Sequence, residues 1–397
     1  MNNVRRYGRG ALVVIAVLVV WEFLGQFELI ARGALPAPSQ ILRQFWQDRS
    51  DYPPHLSVTL KSAGTGFLIG NMIAIFSGAL SARFRFAETL LRGIGVTMFA
   101  VPLIAIVPVL LLAFSGTIPR IVLAAMASYF PTYVATLNGM RNIDPRLVDV
   151  VMVAGGTSND VLRWVRLRSA LPHIVSAFRV TAPAALLGTL LVEFGGGTRW
   201  GLGSYLLGSL GQANPSRLWS IGLAATAVAA SAYMLFAFLG NRLTRTSLSA
   251  TVQTTIAPST NSGPWWKRLL GVGVSVSVVL GVWAGVLKIL DMSPIVAKSP
   301  LAVFRYLTVG ARAAASRTRL FDAYSETLPV AFIGLLCGLL AALLLAVLLS
   351  LRPTLGRTVL PFALISQTMP LPALTPLIVL IFGRDFLATV VVCISVT

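Results

Sequence analysis

The sequence has 397 residues, 56% hydrophobic and 11% charged, with 32 Lys and Arg against 13 Asp and Glu for a net charge of +19. Soluble globular domains are about a quarter charged, so the composition excludes an ordinary soluble protein and places the chain in the membrane class. The basic residues lie between apolar runs rather than on one polar domain, which argues against nucleic-acid binding and for anchoring at one membrane face.

A helix needs ~20 mostly apolar residues to cross the hydrocarbon core. The first such stretch is Ala11–Ile30. Arg5, Arg6 and Arg9 before it imitate a secretory signal, but Trp21-Glu22-Phe23 stands where a cleavage site would need small residues, so it is read as a retained span. Spans follow at Gly64–Ala82, Gly93–Phe114, Ile121–Leu137, Ile174–Phe194 and Ile221–Leu239. A Ser/Thr-rich stretch, 241–264, reads as a linker. Apolar spans resume at Leu269–Leu290, Leu328–Leu349 and Val359–Phe382, and Phe386–Val396 is too short to span. The expected fold is all-α, a polytopic transmembrane helical bundle. Its first unit is 1–240 with about six spans, and its second is 265–397 with three full spans and a partial one. Alternating the spans with the N-terminus in the cytoplasm puts Arg83, Arg85, Arg92, Arg141, Arg146, Arg163, Arg166, Arg168, Arg242 and Arg245 inside, as the positive-inside rule requires.

A shift of 268 residues superposes the two units. Ser57, Thr59 and Leu60 fall on Ser325, Thr327 and Leu328; Gly66 and Gly70 on Gly334 and Gly338; Pro102 and Pro108 on Pro370 and Pro376. The paired glycines permit close helix approach, and plain packing is the favoured role. The paired prolines interrupt the next span. Backbone freed at membrane depth is tolerated against protein or a water-filled path, so Pro102, Pro108, Pro370 and Pro376 are pathway-lining candidates, with a structural kink as the equal alternative. The same shift sets Thr397 opposite Tyr129, so the second repeat is incomplete, and a truncated form of a fused two-unit chain is expected.

Chemistry-bearing constellations are scarce. Cys337 and Cys393 lie in apolar runs as small hydrophobes, His55 and His173 are far apart, and neither a P-loop nor a GxSxG or HExxH motif occurs. No metal, cofactor or catalytic residue is expected, and no enzyme activity on this chain. The polar exception is Asp149–Pro172. Asp149–Ala154 suits a helix, Gly155-Gly156 breaks it, and Thr157 with Asp160 forms a capping box that starts a second helix. Val161, Leu162 and Val165 are its apolar positions, and Leu171-Pro172 ends it before the next span. The residues alone leave two readings, an amphipathic connector on anionic headgroups or a docking element.

This segment resembles the cytoplasmic loop of bacterial ABC-importer permeases, E-A-A-x-x-x-G followed after nine residues by I-x-L-P, and is most similar to the nitrate/sulfonate/taurine branch. Asp149-Val150-Val151 stands at E-A-A, Gly155 at the glycine, Val165-Arg166-Leu167-Arg168 at the I-x-L-P step and Ala170-Leu171-Pro172 at a closing step. Asn142–Leu147, Leu191–Gly195 and Leu35–Ser39 agree with the family's flanks and outer-face segment. Asp for Glu, Val for Ala and Arg168 for the first proline depart from it. The resemblance implies an importer permease fold in the bacterial inner membrane. It implies an ATPase subunit docked on Asp149, Gly155, Gly156, Thr157, Asp160, Leu162, Val165, Leu171 and Pro172, an outer solute-binding protein as second partner, and a small, anionic solute. The competing function is a secondary transporter or channel of parallel repeats, disfavoured because the spans hold few ionisable groups, with Glu193 expected at a span's outer end.

Overall fold

The structure, a computed structural model, describes residues 15–30, 33–212, 214–243, 265–289, 291–294, 297–310, 312–351, 371–383 and 386–396. Among the described residues all regular structure is helical. In chain order the helices are α1 (Ile15–Gln26), α2 (Pro38–Gln47), α3 (Tyr52–Arg83), α4 (Arg85–Ala100), α5 (Leu103–Ala113), α6 (Ile118–Arg141), α7 (Pro145–Val153) and α8 (Ser158–Gly196). They continue with α9 (Leu202–Leu210), α10 (Pro215–Leu243), α11 (Trp265–Ile289), α12 (Pro300–Thr308), α13 (Ala313–Leu351), α14 (Leu371–Phe382) and α15 (Phe386–Val396). Five of them, α3, α6, α8, α10 and α13, are long and apolar enough to cross a membrane, and α4 with α5 makes a sixth if the pair is one broken span. The chain is a multi-pass membrane protein.

Two compact units divide the chain, one of residues 58–197 and 231–304, the other of 1–57, 198–230 and 305–397. In the first, α6 packs along α8, and α3 joins them through small residues. A Cβ on Gly66 would lie 2.5 Å from the Ala124 Cβ, and one on Gly70 would lie 2.4 Å from the Ala125 carbonyl oxygen. Such approach maximises dispersion contact where lipid supplies no hydrophobic drive between helices. Buried hydroxyls complete the contact. Thr132 on α6 and Thr181 on α8 both donate to the Asn71 side-chain oxygen on α3, and Tyr133 donates to Ser81 at 3.1 Å.

The stretch Gly93–Phe114, expected as a span interrupted by its prolines, is sharply bent: α4 and α5 meet at 97°. The cause is local. A residue before proline is pushed out of the helical region, and Val101 sits at φ −72°, ψ 125° ahead of Pro102. Pro102 and Pro108 are both exposed, whereas Val107 and Leu110 of α5 are buried. Pro370 lies outside the described residues, and Pro376 lies within α14.

In the second unit α13 packs on α15, and a Cβ on Gly334 would fall 2.4 Å from the Cys393 Cβ. Under the 268-residue shift Gly334 stands at Gly66 and Cys393 at Ala125, so the close approach of α3 to α6 at Gly66 recurs between α13 and α15. Gly334 and Gly338 are both buried.

Candidate functional site: a capped helix–break–helix

The Asp144–Pro172 region lies within the first unit. Asp144 starts α7 by accepting a hydrogen bond from the Arg146 amide at 3.0 Å. The helix stops in a Schellman turn: the Gly156 amide donates to the Val151 carbonyl at 2.9 Å and the Gly155 amide to Met152 at 3.1 Å. That turn needs a left-handed residue, and Gly155 supplies φ +82°. Thr157 and Asp160 then cap α8 reciprocally. The Thr157 amide donates to the Asp160 carboxylate at 2.8 Å and the Asp160 amide to the Thr157 hydroxyl at 3.4 Å. The break and the cap stand where the sequence puts them.

Two expectations are corrected. Pro172 does not end a helix: α8 runs through it from Ser158. A π turn at Val161–Arg166 precedes the proline, and the helix is closely packed on α6 here, since a Cβ on Gly139 would lie 2.8 Å from Ala170 Cα and 3.1 Å from His173. Nor do all the apolar positions face outward. Val161 and Val165 are buried and Leu162 packs against the Met140, Ala170 and Ile174 cluster. Asp149, Gly155, Thr157 and Leu171 are exposed, with Gly156 and Asp160 intermediate.

The outward surface is made by residues that sequence reasoning passed over. No residue of α7 is buried. Val150 is 67% exposed, Val153 89% and Trp164 49%, with Leu147 and Met152 beside them. The guanidinium carbons of Arg163 and Arg168 lie 5.3 and 4.7 Å from the Trp164 ring centroid, within cation–π range, while Arg166 turns inward to donate to the Ala82 carbonyl at 3.3 Å. The signal was present: Val150 and Val153 are three apart, one helical face. Helical periodicity identifies an apolar face but not what covers it. Behind the element, Arg141 at the end of α6 makes a bidentate pair with Glu88, 2.7 and 2.6 Å, fastening α4.

A second set lies in the other unit. Trp21 and Trp219 donate their indole N–H to the Pro36 and Ala34 carbonyls at 3.0 and 3.1 Å, fixing the 35–39 segment. Arg217 grips Asp48 through two 2.7 Å bonds. Burial pushes the Asp48 carboxyl up, but the hydrogen bonds from Arg217 and Gln44 and the Arg217 charge outweigh it and hold the group below the usual range.

Residues 70–247 match the family described as binding-protein-dependent transport system inner membrane component. Over 197 residues the chain is 28% identical to the aliphatic sulfonates transport permease protein SsuC of Bacillus subtilis, covering 48% of this chain and 71% of that protein. It is 29% identical to an ABC transporter permease protein of Haemophilus influenzae, covering 49% and 80%. It is 26% identical to the riboflavin transport system permease protein RibX of Chloroflexus aurantiacus, covering 49% and 74%. The helix–break–helix falls inside the matched region, in an all-helical, multi-pass chain. Residues 70–247 are thus similar to the inner-membrane component of binding-protein-dependent transport systems, and about half of the chain is similar to proteins named as ABC transporter permeases, those for aliphatic sulfonates among them.

Proposed function

We propose that the chain couples to a separate ATPase subunit through residues 144–172, and that a solute-binding protein delivers a small sulfonate-class anion to its opposite face. One observation carries the docking assignment. A helix–break–helix fixed by a Schellman turn and a reciprocal cap holds out an apolar face, Leu147, Val150, Met152, Val153 and Trp164, that no described residue covers. Ordering such a face in advance removes the entropic cost of forming it on binding. The anionic cargo rests on the likeness to the SsuC proteins of Bacillus subtilis and Escherichia coli. The Lys/Arg distribution supports a cytoplasmic N-terminus and puts the docking element on that same side. The organisation we assign is a first permease unit over 1–240, a linker at 241–264 and a second unit over 265–397. The recurrence of the Gly–Ala helix contact as Gly334 on Cys393 supports it.

Val153→Glu places a carboxylate at the centre of the face without touching the fold, since the side chain is 89% exposed. Retention of the co-expressed ATPase in a pull-down should fall at least tenfold, which is about 1.4 kcal/mol of binding, with membrane levels of the permease unchanged. Wild-type retention by this variant would remove the docking assignment.

A further inference from the structure

We propose that Glu193, Arg120 and Thr59 form a buried tie through which movement of the docking element reaches the broken span α4–α5. The proposal rests on the docking role assigned above. Glu193 is 0% exposed and Arg120 5%. The Thr59 hydroxyl of α3 lies 2.9 Å from both carboxylate oxygens of Glu193, and Arg120 Nη1 of α6 lies 3.7 Å from one of them. Three helices thus meet at one carboxylate. A charge pair buried in protein is costly to keep unless its geometry is well satisfied, which makes this one a candidate for more than packing.

The position of the tie gives it something to do. α8 is one helix from the docking cap at Ser158 to Glu193, about 52 Å at 1.5 Å per residue. Just past Glu193 the helix gives way, with Gly196 at φ +87°. In that last turn a Cβ on Gly195 would lie 2.7 Å from the Val107 Cγ1 of α5. Val107 and Leu110 of α5 share one buried cluster with Leu123 and Val192. One end of α8 therefore carries the docking element, and the other packs against the body of α5, beyond the bend at Pro102. The tie keeps that contact in register with α3 and α6.

The repeat supplies an independent observation. Under the 268-residue shift Thr59 is matched by Thr327, but Arg120 by Ala388. Ala388 is buried in α15, which still packs on α13 through the Gly334–Cys393 contact. Packing of α13 on α15 does not require an arginine at that position, so close packing alone does not account for the buried Arg120 beside Glu193.

The test uses the full permease co-purified with its ATPase, in liposomes, with Cys337 and Cys393 replaced by Ala and a reporter Ile104→Cys on exposed α5. In the parent, ATP with vanadate should change the maleimide labelling rate of the reporter at least threefold. Thr59→Val and Glu193→Gln should abolish that change while the ATPase stays bound, and Arg120→Lys, which keeps the charge, should preserve it. A purely structural role predicts lower thermal stability with the labelling response intact. That result, or a parent-like response in Thr59→Val, overturns the proposal. Should Glu193→Gln fail to accumulate, the near-isosteric Thr59→Val decides alone. A parent that binds the ATPase but shows no ATP response sinks the tie only. A parent that retains no ATPase sinks the docking reading and the tie together.

Discussion

Gly155→Arg should strip the ATPase from the complex, with at least a tenfold loss of both pull-down retention and uptake of a labelled alkanesulfonate at equal permease levels. The reason is backbone, not crowding. Gly155 holds φ +82°, and a Cβ there would meet nothing within 4 Å. An L-residue in that left-handed conformation costs about 1–2 kcal/mol, enough to favour release of the Schellman bonds to Val151 and Met152. Once they open, the angle between α7 and α8 is no longer fixed, and the apolar face carried by Val150 and Val153 loses its relation to Trp164. The new guanidinium adds positive charge near Arg163 and Arg168. Gly155→Asn separates strain from side-chain presence, because Asn tolerates this conformation. It should stay within about threefold of wild type. Equal retention by the Arg and Asn variants would show that the turn does not govern docking.

The second large effect concerns the bundle itself. Gly70→Leu should abolish a monodisperse complex in detergent, whereas Gly64→Leu, six residues earlier on the same helix, should leave it intact. A side chain at 70 must enter the Ala125 backbone, its Cβ 2.4 Å from the carbonyl oxygen and 2.8 Å from Cα, while one at 64 meets open space. Backbone cannot yield as a side-chain tip can, so the helices must part. Overpacking of this kind costs about 1–3 kcal/mol and occasionally more, and the Asn71–Thr132–Thr181 hydrogen bonds lie on the same interface. Size-exclusion profiles and thermal midpoints of the two variants check this. Similar behaviour of both would mean that lipid, not α6, faces Gly70.

Features set by neighbouring residues were legible in the sequence. The glycine break, the Thr157–Asp160 cap, the close-packing glycines and the all-helical membrane class each follow from a short window of residues, and each stands in the structure. The bend at Pro102 was half legible: proline disrupts its own neighbourhood, but its 97° size depends on what α5 packs against. Features set by distant residues were not legible. Thr59 and Glu193 are 134 residues apart, and a carboxylate near the end of an apolar run looks the same whether it meets headgroups or a buried arginine. The run of α8 through Pro172 was hidden for a related reason: local preference disfavours proline inside a helix, while the Gly139–Ala170 approach that packs this helix on α6 is not local. In the helix–break–helix, Leu162 and Val165 read as its apolar positions and proved to be its attachment to the bundle, leaving Val150, Val153 and Trp164 outermost.

The most direct test of the central claim is a photo-crosslinking amino acid at Val153 in cells that express the permease with its ATPase. The account predicts a covalent adduct whose mass is the permease plus the ATPase subunit, lost in the Gly155→Arg background. Adducts to lipid alone, with the ATPase still co-purifying, would contradict it.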